Sequence, residues 1–478
     1  MTRFKTQLYI NGQWRDASDG GTFDVLNPAD ETVLATVASG TVEDALACLD
    51  AAEAAFGPWA ARSPRERGEV LRRAYDLFMD RIDEIARLIT LENGKAGGDA
   101  MGEAKYAAEF FRWYAEESVR SDGYLGIAPA SGARLMVHQK PAGIAVLVTP
   151  WNYPAAMGTR KIGPALAAGC PVVIKPASET PLTMLALMPI LEEAGVPPGL
   201  VNVLPSRASG AVVGAMLADA RTRVVSFTGS TEVGRKLLHA AADNVIKPAM
   251  ELGGNAPFIV CKDADIEAAA EGLMVAKMRN LGEACTAANR IYVHQEVEKP
   301  FVQSFVAKMA TLKMGNGIED GIDVGPLVNA ETRDKVEFFV RDAVDKGATL
   351  QLGGVRPNGA GYFFPPTVLT HVPDTAECLR DEIFGPVAAI QTFLDEEDVI
   401  RRANDTEYGL VAYVYCGDMR RGMGLAERLE FGMIGLNRGL VSDPAAPFGG
   451  VKQSGLGREG GKEGLLEFQE TQYISAEW

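Results

Sequence analysis

The sequence lacks any run of about 18 uncharged apolar residues, and its opening MTRFKTQLYINGQW has no apolar core of signal-peptide length. Neither a membrane-spanning nor a secreted protein is expected. Basic runs longer than a few residues are also missing, and 47 Lys plus Arg against 63 Asp plus Glu leave a formal net charge of −16. Nucleic acid is an unsuitable partner for such a chain, because its binding needs clustered cations to displace phosphate counterions. Cysteine is sparse. The six residues Cys48, Cys170, Cys261, Cys285, Cys378 and Cys416 form no CxxC and have no His at ligand spacing. That pattern predicts no metal site and fits reduced thiols in a cytoplasm. No internal repeat or low-complexity tract is evident.

What is present is a globular composition. With 478 residues, 47% apolar and 23% charged, the chain is long enough for about three compact units and too apolar to be disordered. From Thr41 to about Ser118 the apolar spacing is helical, with Thr41 and Ser63–Pro64 as N-terminal signals and Gly94 as a C-cap. Short β-branched runs follow at 142–150, 171–176, 200–205, 223–230 and 247–254, separated by helix-length stretches. This rhythm predicts an α/β fold with a parallel, helix-covered sheet. Ligands of such sheets sit beyond the carboxyl ends of the strands, where Pro150, Lys175, Pro205 and Ser230 fall. A second alternating block runs from APFIVCKDAD to about Asn437 and reads as a second domain of similar build. DGYLGIAPASGARLMVHQKP and the tail LLEFQETQYISAEW read as ribbons too thin to stand alone, expected to pair with each other or with another subunit.

Several residues could carry chemistry. The turn FTGSTEVG, with Gly229 and Ser230, offers a tight bend and helix amides to a phosphate. Lys175 can project a cation over the same crevice, and Asn152 in TPWNYP can donate to a developing oxyanion. Cys285 in RNLGEACTAANR lies among small residues that leave a thiol reachable as a nucleophile. Glu251 ends an apolar strand, where burial raises a carboxyl toward general-base range. Taken singly, each has an ordinary structural explanation.

Taken in chain order, TPWNYP, VVIKPASETP, FTGSTEVG, ELGGNAP, GEAC, EIFGPV and PFGGVKQSGLGRE resemble the aldehyde dehydrogenase superfamily over essentially the whole chain. The resemblance implies two Rossmann-like parallel-sheet domains plus a β-ribbon oligomerisation element. Residues 1–121 and 142–252 would form the cofactor domain, 253–440 the catalytic domain, and 122–141 with 460–478 the ribbon of a homodimer or homotetramer. It implies Cys285 as nucleophile, Asn152 in the oxyanion hole and Glu251 as the base that activates the hydrolytic water. Trp151, Lys175, Ser178, Gly229, Ser230, Glu382 and Phe384 would contact the dinucleotide, and Lys161 with Glu459 would relay protons. Ser178 stands where NAD-preferring relatives often carry Glu. A carboxylate there would repel a 2′-phosphate, so NADP is the favoured cofactor, with NAD usable.

Within the superfamily, TRKIGPALAAGC, MELGGNAPFIV, ANDTEYGL and APFGGVKQSGLGREG are most similar to the succinate-semialdehyde dehydrogenase branch. Arg160, Arg279 and Ser442 match positions that hold the far carboxylate of that substrate. The implied reaction is NAD(P)-dependent oxidation of succinate semialdehyde to succinate, as in 4-aminobutyrate breakdown. Alternatives are glutarate semialdehyde or another carboxylated or aliphatic aldehyde, and a catalytically silent cofactor-binding protein on the same fold. Two departures stand out. Glu283 is expected to add a negative charge near the tunnel. Ala287 excludes a disulfide between positions 285 and 287.

Overall fold

The computed structural model describes residues 4–478. The helical stretch near the N-terminus forms as its end signals dictate. Thr41 and Ser63 each close a capping box, with Asp44 and Glu66 as the returning carboxylates, and Gly94 ends its helix at φ 92°. The returning group after Thr41 is Asp44, a residue whose oxygens also accept from Ser18 N and Arg15.

All five predicted strands are present as neighbours in one sheet. In space the order is Lys247–Glu251, Thr222–Thr228, Ile144–Val148, Val172–Lys175, Val201–Val203, every pair parallel. Antiparallel edges that the sequence pattern did not reveal complete the sheet: Leu8–Ile10 and Gln13–Arg15 on one side, Gly455–Leu456 on the other. Chain order reverses between Ile144–Val148 and Thr222–Thr228, which opens a crevice between the turns that follow them.

The second sheet runs Thr349–Leu352, Thr367–Thr370, Val387–Phe393, Ala288–His294, Ala256–Val260, Val411–Tyr415, Met433–Leu436, parallel except for the first pair. Its strands begin near the carboxyl ends of the first sheet, so a single cavity lies between the two. Each sheet is covered by apolar clusters on both faces, which explains why the central strands are buried throughout, without alternation. The two ribbons expected to need partners pair with each other. Gln469–Ala476 lies antiparallel to Arg134–Pro141, which is paired in turn with Tyr124–Ile127. Among the described residues no helix is long and apolar enough to cross a membrane.

Candidate active site

A cavity of about 400 Å³ lies between the sheets and collects residues from both. Trp151, Asn152, Arg160, Gly229, Ser230, Arg279, Cys285, Glu382, Phe384 and Ser442 all line it. Of the six cysteines, Cys285 is half-buried and the other five are buried, so the reachable thiol is the one the sequence singles out. Burial pushes the Cys285 thiol up to about 12, with the Arg160 and Arg279 guanidinium groups pulling against it.

The backbone before Cys285 is unusual. Asn280, Leu281 and Gly282 all have positive φ, a left-handed run that Leu adopts only when its surroundings impose it. Asn280 supplies the restraint: its N–H donates to Asp99 Oδ2 (2.9 Å), and its side-chain amide donates to the carbonyls of Asn152 (3.0 Å) and Glu283 (2.8 Å). The Asn152 amide donates to the same Glu283 carbonyl at 3.0 Å. One amide hydrogen of Asn152 is thus committed, which fixes the orientation of the other in a cavity that Cys285 also lines.

The turn carrying Asn152 is held from below by a buried ion pair. Lys95 donates to Glu103 (2.5 Å) and to the Asn152 carbonyl (2.7 Å), and Glu103 accepts from the N–H groups of Ala155 and Ala156 at the start of helix Ala156–Ala168. Neither Lys95, Glu103 nor Asn280 belongs to a sequence motif with chemistry of its own. Sequence reasoning missed them, and it missed Tyr106 and Tyr153, which line the cavity and whose buried hydroxyls have no hydrogen-bond partner among the described residues.

Glu251, Lys161 and Glu459 do not line the cavity. They form a buried cluster behind it, in which Glu459 pairs with both Lys161 and Arg160, and Lys161 also donates to Ser226 Oγ (2.9 Å). Neither Glu251 carboxylate oxygen has a hydrogen-bond partner, and a Cβ on Gly449 would lie 2.7 Å from one of them. Burial and the Glu459 charge raise Glu251 well above the usual carboxylate range.

The two arginines differ. Arg160 is ion-paired with Glu459 and stacks over Phe448 at 4.3 Å. Arg279 makes no ion pair among the described residues; it donates to Thr286 Oγ1 (3.1 Å), lies over the Tyr153 ring at 5.7 Å and lines the cavity, with the Asp99 carboxylate attracting it from a longer distance. Ser442 lies in the same lining.

On the other side of Cys285, Ser230 caps helix Thr231–Ala242 at the point where the first sheet reverses order. The buried Thr228 hydroxyl beside it has no protein partner. Trp151 and Phe384 meet edge to face at 5.3 Å, with Phe384 at φ 55°. Glu382 accepts from Gly254 N at 3.3 Å and is raised to about 7 by burial. Lys175 is buried without an ion pair, and desolvation brings it down to about 8, opposed by Glu179. A helix N-terminus and an unpartnered Thr228 hydroxyl, with the buried Lys175 at the end of another strand of the same sheet, fit a dinucleotide and its phosphates.

One expectation needs correction. Glu283 adds no charge to the tunnel: its carboxyl is buried away from the cavity, accepts from Val328 N (3.1 Å) and is pushed up to about 8 by burial. Of the residues expected at the dinucleotide, Lys175 and Ser178 are outside the lining of this cavity. The Ser178 hydroxyl lies 3.4 Å from the carboxylate of Glu179, and Glu179 itself lines the cavity.

The Aldehyde dehydrogenase family model matches residues 14–474. The chain belongs to that family. It is 52% identical to the succinate-semialdehyde dehydrogenase of Paenarthrobacter nicotinovorans over 92% of this chain and 98% of that one. It is 46% identical to the glutarate-semialdehyde dehydrogenase of Pseudomonas putida, over 98% of each. A crystal structure of an Escherichia coli NADP-dependent enzyme superposes with a TM-score of 0.98 at 45% identity, covering 99% of this chain and 98% of that one. The aldehyde dehydrogenase fold expected from the motifs, with its pair of α/β sheets and a ribbon, is thus the fold of the chain.

Proposed function

We propose that this aldehyde dehydrogenase oxidises succinate semialdehyde to succinate in the cytoplasm, with NADP as the favoured hydride acceptor and NAD usable. The observation that carries the reading is the guanidinium of Arg279, which has no ion pair among the described residues and shares one cavity with Cys285 and Ser442. A small aldehyde with a carboxylate at its far end satisfies both ends of that cavity. The relatives named for succinate and glutarate semialdehydes support the carboxylated class, and glutarate semialdehyde is the second reading.

Cys285 Sγ, as the thiolate, bonds to the aldehyde carbon. The carbonyl oxygen takes up the negative charge and accepts from Asn152 Nδ2 and the Cys285 N–H. The bound nicotinamide supplies the hydride acceptor, and loss of hydride leaves a thioester on Cys285. Glu251 turns toward the cavity and takes a proton from water, whose oxygen attacks the thioester carbon and releases the carboxylic acid and the Cys285 thiolate. Lys161 and Glu459 pass that proton on. Lys175 and Ser178 hold the adenosine end, Gly229 and Ser230 the pyrophosphate, Glu382 the nicotinamide ribose, and Trp151 with Phe384 the ring.

The division into 1–121 with 142–252, 253–440, and 122–141 with 460–478 is part of the same proposal. So is a homodimer or homotetramer built on the ribbon, where Tyr124, Leu125, Ile127 and Tyr473 stand exposed in one three-stranded sheet. Initial rates with succinate semialdehyde, glutarate semialdehyde and butyraldehyde, each with NADP and NAD, test the reading. Preference for succinate semialdehyde with NADP is expected. Equal use of butyraldehyde would move the protein to general aldehyde oxidation.

A further inference from the structure

The second sheet has a reversal of its own. Strand Ala256–Val260 is followed by helix Ile266–Met278, which leads to the neighbouring strand on one side. Strand Val411–Tyr415, its parallel neighbour, is followed by Met419–Ala426, which leads to the neighbour on the other side. The two helices pack in different apolar clusters, so the chain leaves these adjacent strands toward opposite faces. A crevice opens at such a point at the carboxyl ends of the strands, the usual position of a ligand in an open α/β sheet. The catalytic cavity lies at the opposite edge of this sheet, where the strands begin.

Three potential metal ligands meet in that crevice. The register Val260↔Tyr415 and the hydrogen bond from Cys261 N to the Tyr415 carbonyl (2.9 Å) place Cys261 beside Cys416 as the first residues past their strands. Asp263 follows two residues later. A Cβ on Gly417 would lie 2.3 Å from the Asp263 carbonyl oxygen, so the two turns close together only because that residue is glycine. The two Sγ atoms and a carboxylate oxygen of Asp263 lie within 4.8 Å of one another. The Asp263 carboxylate is already aimed: Oδ2 accepts from Asp418 N (3.1 Å) and Oδ1 from Arg421 (3.1 Å), whose charge is shared with Glu396. Carboxylates keep further lone pairs beyond those two bonds.

We propose that Cys261, Cys416 and Asp263 form a second ligand site of this enzyme, one that binds a thiophilic divalent cation of the zinc kind. A tetrahedral ion with bonds of about 2.3 Å to sulfur and about 2.0 Å to oxygen spans an S···O edge of roughly 3.5 Å. The Cys416 Sγ to Asp263 Oδ1 separation is 3.6 Å. Two thiolates and one carboxylate select zinc or cadmium over calcium and magnesium, which take oxygen ligands. The Asp418 carbonyl, 3.4 Å from Cys416 Sγ, or a water, completes four ligands. Arg421 acts from behind Asp263, fixing the carboxylate as hydrogen-bonded partners of metal ligands do.

Cadmium is the probe, because each thiolate bond adds to an ultraviolet charge-transfer band. The full chain carrying Cys285→Ala, reduced and freed of metal, removes the reachable thiol of the catalytic cavity from the count. One cadmium per chain is expected, with the band of two thiolates, displaced by zinc and unaffected by equal calcium or magnesium. Cys261→Ser and Cys416→Ser are each expected to lower cadmium affinity at least about 100-fold, and Asp263→Asn about tenfold. A band that persists in the Cys261→Ser/Cys416→Ser double variant, or no saturable band in the parent, overturns the proposal. Crystals soaked in cadmium give a check that needs no cysteine variant at the site. An anomalous peak bonded to both sulfurs is expected, and a peak elsewhere or none refutes it.

Discussion

Replacing Glu283 by Gln removes a titration and almost nothing else, because Gln Oε1 can still accept from Val328 N as Glu283 does at 3.1 Å. Burial raises the Glu283 carboxyl from 4.5 to about 8. Between those values the folded chain keeps a proton that the unfolded chain has released. Wild-type stability therefore falls as pH rises through that window, by about 1.4 kcal/mol per pH unit at most. From about pH 5.5 to about pH 8 the loss is on the order of 3 kcal/mol, and Glu283→Gln is spared it. For a chain of this size roughly 1 kcal/mol moves the melting temperature about 1 °C, so the variant should gain roughly 3 °C on wild type across that range. Any cost of the new, partly unpaired amide is independent of pH and drops out of the comparison. Melting curves at both pH values measure it, with kcat/KM expected to be unchanged because Glu283 does not line the cavity. A difference between the two proteins that stays flat with pH would refute the reasoning.

Other substitutions separate the steps of the reaction. Arg279→Ala should raise KM for succinate semialdehyde roughly 10- to 100-fold, the worth of a charge-assisted hydrogen bond, and leave butyraldehyde turnover near wild type; equal losses on both aldehydes would remove Arg279 from carboxylate recognition. Glu251→Gln should keep a rapid burst of reduced cofactor and slow steady-state turnover about 10²- to 10⁴-fold, a split that rapid-mixing absorbance resolves; loss of the burst would place Glu251 in the oxidation step. Because Cys285 is pushed up to about 12 and Glu251 is also raised, kcat/KM should climb with pH through the neutral range, and a rate that falls from pH 6 to 9 would contradict both assignments. Lys175→Ala should weaken NADP more than NAD, measured as the ratio of their KM values, since Lys175 is a buried cation without an ion pair; an unchanged ratio would remove it from 2′-phosphate binding.

Local pattern carried a large part of the molecule. Helix caps at Thr41, Ser63 and Gly94 and the five parallel strands were legible because hydrogen bonds a few residues long and runs of buried apolar side chains set them. The order of seven motifs named the family, and seven of the site residues drawn from them line one cavity. What the pattern did not carry are relations between distant residues. Glu283 turns out of the tunnel because Val328 N waits behind it, 45 residues along. Arg160 differs from Arg279 because Glu459 reaches the one and not the other. Asn280 and Lys95 hold the Asn152 carbonyl across 128 and 57 residues, and Glu103 holds the Ala155 N–H across 52, through main-chain partners that no side-chain pattern marks. Cys261 and Cys416 have no ligand spacing along the chain, yet adjacent parallel strands end on them. A side chain's charge state and partners depend on what packing removes from water around it, and packing is a property of the whole fold.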